Sequence, residues 1–84
     1  MNSIDLIKKK ILYRSEYRGI KEMELLLNSF VQKHISDFSI VELKQLDDLL
    51  TFDDDSLFKW YFDKQIKIKI PNNKVWKLLK NFKI

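Results

Sequence analysis

Apolar side chains recur at steps of three and four along nearly all of this chain, and that periodicity predicts helices almost throughout. Ile4, Ile7 and Ile11 form the first run, with Lys8, Lys9 and Lys10 facing out. They predict a helix from about Ser3 to Tyr13, capped by Asn2 or Ser3. The polar stretch Arg14 to Arg18 interrupts that face and predicts a turn. A second helix is expected from near Gly19 to about His34, with Ile20, Met23, Leu27, Phe30, Val31 and His34 on one stripe and Leu26 broadening it. Ser39-Ile40-Val41-Glu42 is a capping box, and Phe38 with Leu43 fits the hydrophobic staple around it. It opens a third helix that runs to about Leu50. Asp53, Asp54 and Asp55 suit the start of a fourth, from about Asp54 to Lys64, because carboxylates are favourable at a helix N-terminus. A fifth follows Pro71, capped by Asn72 or Asn73, and carries Val75, Trp76, Leu78, Leu79 and Phe82.

One segment departs from the pattern. Gln65 to Ile70 alternates Ile with Lys or Gln, which is the period of a strand. No second strand-like run exists to pair with it, and a lone strand leaves its backbone groups unsatisfied. An extended connector lying against the bundle is the expectation there. The predicted fold is all-α, a compact bundle of five short helices forming a single domain over residues 1–84.

The chain has 84 residues, 45% of them apolar, enough for one modest core. It has no cysteine, which excludes disulfides, thiolate chemistry and cysteine-based zinc sites. No apolar run is long enough to span a membrane. Met1 to Lys10 hold three lysines but no apolar h-region and no small-residue cleavage site. A cytoplasmic location is the resulting expectation. The net charge of +4 is segregated: residues 1–22 carry +3, residues 23–58 carry −6 and residues 59–84 carry +7. The basic end has two readings. It is either a small nucleic-acid-binding helical module, with lysines on phosphates, or a solvated lysine face attracted to the acidic middle. Arginine, which reads base edges best, is absent from that end.

Conventional catalytic equipment is missing. His34 is the one histidine, and it falls on the apolar stripe of the second helix. There is no glycine-rich loop for a phosphate or a dinucleotide. The three aspartates lack the glycine and later glutamate of an EF-hand. No catalytic residue, no metal site and no dinucleotide cofactor bound by the chain itself are expected. The aromatic set Trp60, Tyr61, Phe62 and Trp76 reads as core, or as an interface anchor where partly exposed.

What stands out is Gly19. The chain has fourteen lysines, ten isoleucines and no alanine, but one glycine and two arginines. Both arginines, Arg14 and Arg18, lie within five positions of that glycine. A composition drifting away from Gly and Arg keeps them where they are needed. Glycine lets another surface come close. Arg18 and Glu22 are four apart and can share a helical face, which also permits an ordinary ion pair. From the residues alone, this is a helical binding module whose candidate surface is Arg14 to Glu22.

Arg18-Gly19-Ile20-Lys21-Glu22, with the apolar run Met23 to Leu27 after it, resembles the Arg-Gly-x-x-Glu signature of the succinate dehydrogenase flavinylation factors. Asp54-Asp55-Ser56-Leu57-Phe58-Lys59-Trp60 resembles that family's Asp-x-x-Leu-x-x-Trp stretch. The resemblance covers about residues 8–62. It implies five helices and a role as assembly factor for the flavoprotein subunit of succinate dehydrogenase, with related fumarate reductase subunits as further clients. It also implies that FAD belongs to the client, whose histidine bonds to the flavin 8α-methyl group while the factor acts as chaperone. The partner-binding residues it implies are Arg14, Arg18, Gly19, Glu22, Asp54 and Trp60.

Overall fold

A computed structural model of the chain describes residues 3–16, 18–63 and 69–83. Five helices form among the described residues: α1 (Ser3–Glu16), α2 (Lys21–His34), α3 (Ile40–Leu49), α4 (Asp54–Phe62) and α5 (Lys74–Asn81). Helix α1 packs on α2 and α3, α3 on α5, and α2 on α4. The radius of gyration is 12.3 Å, close to the ~12 Å of a compact chain of this length.

The stripe on α2 is the centre of the core. Met23, Leu26, Leu27, Phe30 and Val31 are each at most 1% exposed. Ile11 comes in from α1, Leu43, Leu46 and Leu49 from α3, Leu57 and Trp60 from α4, and Val75, Trp76 and Leu79 from α5. Phe52 and Trp60 meet the Trp76 ring edge-on, each at 5.0 Å, the arrangement that aromatic quadrupoles favour.

Local chemistry sets three of the helix starts. At α3 both halves of the capping box form: the Glu42 N–H donates to Ser39 Oγ at 3.2 Å and the Ser39 N–H to Glu42 Oε1 at 2.8 Å. Phe38 and Leu43 both pack into the core beside it. Asp53 caps α4, accepting from the Ser56 N–H at 3.0 Å. Asn73 caps α5, accepting from the Trp76 N–H at 3.1 Å. Helix α2 is the exception, because its N-cap residue is Ile20, which has no side chain able to cap.

Several boundaries move. Arg14 is not in a turn, since α1 continues to Glu16. The polar residues that interrupt the apolar face have partners of their own: Ser15 is fully buried with its hydroxyl on the Leu12 carbonyl, and Arg14 reaches α3. Helix α2 starts at Lys21 rather than Gly19. Helix α4 ends at Phe62, where Asp63 takes an extended conformation. The expected connector from Gln65 falls mostly outside the described residues. Its last members, Lys69 and Ile70, have no regular structure.

Candidate functional site

Arg18 follows α1 and turns its guanidinium inward, its side chain only 8% exposed. Nε donates to Asp54 Oδ1 at 2.5 Å. One terminal nitrogen donates to the Leu50 carbonyl at 2.8 Å and the Arg14 carbonyl at 3.2 Å. The other donates to the Phe52 carbonyl at 2.8 Å. Leu50 is the C-cap of α3, and Arg14 lies in the last turn of α1. A cation therefore sits where two helices leave carbonyls without intrahelical partners. Asp54 is the first residue of α4, with its side chain 11% exposed. Its second oxygen accepts the Ile20 N–H at 2.8 Å, at the start of α2. Four helix ends thus meet on one arginine–aspartate pair. The i,i+4 ion pair of Arg18 with Glu22 does not form, because Arg18 is bound to Asp54.

Gly19 lies exposed between these groups. Together with Arg18, Leu50, Thr51, Phe52, Asp53 and Asp54 it lines a shallow open depression of about 330 Å³. Glu22 is exposed on the first turn of α2 and makes no ion pair among the described residues. Asp53 is exposed at the rim, and hydrogen bonds from the Ser56 hydroxyl and N–H hold its carboxyl below the usual range. Arg14 pairs with Asp47 of α3 at 2.7 Å and keeps 37% of its side chain exposed.

The structure brings Arg18, Gly19 and Asp54 to one place, with Arg14 beside them and Glu22 on the adjoining first turn of α2. Trp60 is elsewhere, 8% exposed in the core, with Lys80 Nζ donating to its carbonyl at 2.6 Å and lying 4.9 Å from its ring. His34 stacks on Phe38 at 5.1 Å, and burial followed by the nearby Lys33 ammonium lowers its pKa. The Leu50, Phe52 and Arg14 carbonyls that hold Arg18 are the groups of the candidate site that sequence reasoning missed. The available signal was that α3 had to end near Leu50 with free carbonyls.

Residues 9–83 match the family model described as flavinator of succinate dehydrogenase. The chain belongs to that family. It is 37% identical over 81 residues to the mitochondrial succinate dehydrogenase assembly factor 2 of Debaryomyces hansenii, covering 92% of this chain and 57% of the yeast protein. It is 32% identical over 84 residues to the protein of the same name in Candida glabrata, covering 95% of this chain and 55% of that one. With the mitochondrial assembly factor 2-B of Drosophila persimilis it shares 44% identity over 55 residues, 63% of this chain and 35% of the fly protein. The chain spans about half the length of the two yeast proteins, and less of the fly one. No solved structure matches it.

These relatives correct the expected location. All three are named as mitochondrial, so the cytoplasmic expectation does not stand. It rested on the absence of signal features, which is not evidence for any compartment. Among the described residues no helix is long and apolar enough to cross a membrane.

The nucleic-acid alternative finds no support in the comparisons. Within the basic end, Lys59 pairs with Asp55, Lys74 with Glu42, and Lys80 with the Trp60 carbonyl.

Proposed function

We propose that this family member binds the flavoprotein subunit of succinate dehydrogenase and promotes covalent attachment of FAD to it, with the related fumarate reductase subunit as a second client. Family membership supports the reading, and so does the likeness to proteins named as succinate dehydrogenase assembly factors. The observation that carries it is the exposed Gly19–Glu22 edge, which lies beside an open depression on a rigidly held junction of helix ends. Gly19 presents bare backbone to an approaching surface. Glu22 presents an exposed carboxylate that can accept a charge-assisted hydrogen bond from the client. Arg14 lies beside Arg18 with part of its side chain exposed, and Trp60 serves the core away from this edge.

The chemistry stays with the client. A docked module raises the fraction of time in which the client's histidine sits within reach of the flavin 8α-methyl group, and orientation of that kind accounts for a large share of a bimolecular barrier. The chain is not itself a flavin enzyme and holds no cofactor of its own, so the purified protein is expected to be colourless. The test is covalent flavin fluorescence of the client subunit in a denaturing gel, prepared with and without this chain. A strong band only in its presence is expected. Equal bands would remove the proposed activity.

A further inference from the structure

We infer that Asp54 is a positioning residue for client docking, which sets the Gly19–Glu22 edge through the Ile20 N–H and does not touch the client. This rests on the functional reading above and assigns the work within that site. The argument begins with a missing cap. Helices α3, α4 and α5 start on Ser39, Asp53 and Asn73, each with its own side-chain hydrogen bond. Helix α2 starts on Ile20 without one. An uncapped first turn frays, because its N–H groups have no fixed acceptor. Glu22 is the second residue of that turn and Gly19 directly precedes the cap, so fraying would blur both.

Asp54, from a different helix, accepts one of the N–H groups left free at the start of α2, that of the cap residue Ile20 itself. One oxygen takes the Ile20 N–H at 2.8 Å while the other is held by Arg18 Nε at 2.5 Å. Arg18 is fixed in turn by the Leu50, Phe52 and Arg14 carbonyls. The carboxylate has little freedom, and its side chain is 11% exposed. A group so enclosed and so fully engaged is poorly available to a partner, but it fixes the backbone that a partner meets. Preorganisation of this kind strengthens binding by removing an ordering cost. It also ties the chain's two motif blocks together, since Asp54 opens the second and Ile20 lies within the first.

The test uses the full chain with Asp54→Asn, which keeps shape and weakens the acceptor. Asp54→Glu serves as a second variant that keeps the charge on a longer arm, for the case in which the first does not fold. Two quantities are read in whichever variant is folded: hydrogen exchange of the Ile20 amide, and Kd for the flavoprotein subunit. Exchange at Ile20 should accelerate and Kd should rise, each by about tenfold or more, the scale of a lost charge-assisted hydrogen bond. Combined with Glu22→Gln, the loss in Kd should be clearly less than additive, because both substitutions act on one edge. Unchanged Ile20 exchange, unchanged Kd or strictly additive losses would each overturn the inference. Failure of the unmutated chain to bind the subunit would instead overturn the functional reading, and Ile20 exchange would still decide whether Asp54 holds the turn.

Discussion

A Cβ placed on Gly19 would meet Asp54 Oδ2 at 3.6 Å, an ordinary contact, and the residue's φ is not positive. Neither backbone conformation nor internal packing therefore demands glycine here, which is compatible with the proposed approach of a partner from outside. The two arginines differ in the same terms. Arg18 is nearly enclosed and bound to one carboxylate and three carbonyls. Arg14 is more than a third exposed and bound to Asp47. Removing one member of a buried, hydrogen-bonded ion pair costs about 3–5 kcal/mol, whereas an exposed pair contributes about 0–1 kcal/mol. Denaturant melts of Arg18→Ala and Arg14→Ala should show that contrast, and equal losses would contradict the account of the junction. The sequence singled out both arginines by their rarity. It did not reveal what they bind, because all their acceptors but the Arg14 carbonyl lie more than thirty residues away.

At the scale of elements, what was local was legible. The capping box of α3, the caps of α4 and α5 and the stripe of α2 are written within a few neighbouring residues, and they stand as expected. The end of α1 was misjudged because the pairing that carries its last turn, Arg14 to Asp47, is tertiary. Ser39→Ala should cost about 0.5–2 kcal/mol, the usual value of an N-cap, measured by thermal or urea unfolding with α5 left intact. Glu42 makes a further prediction. Hydrogen bonds from the Lys74 ammonium, and then from the Ser39 N–H, pull its carboxyl from 4.5 down to about 2. A folded-state pKa below the unfolded value gives stability that is fully present above about 4.5 and is lost as pH falls through about 2. Acid titration of stability should show this loss in the natural chain. The stability difference from Glu42→Gln should shrink over the same window, and a constant difference would show that Glu42 titrates normally.

Across the whole molecule, the segregated charge becomes architecture. Arg14–Asp47, Arg18–Asp54 and Lys74–Glu42 each join a basic end of the chain to its acidic middle. The attraction was legible in the sequence as a sum of charges, and the particular pairs were not. The all-helical class and the number of helices were legible because the period of three and four persists across most of the chain. Location was not, since nothing in a packed helical core encodes an address. The candidate site was legible as a neighbourhood of residues only, and depth divides them: Gly19 and Glu22 lie at the surface and Arg18 and Asp54 beneath it, while Trp60 lies apart in the core. The central claim is that Gly19 is a docking position and not a folding one. The most direct measurement compares melting temperature with covalent flavin content of the client for the natural chain, Gly19→Ala and Gly19→Leu. The account predicts similar melting temperatures for all three, with client flavinylation abolished in Gly19→Leu. Full flavinylation by Gly19→Leu, or a loss that merely follows loss of folding, would contradict it.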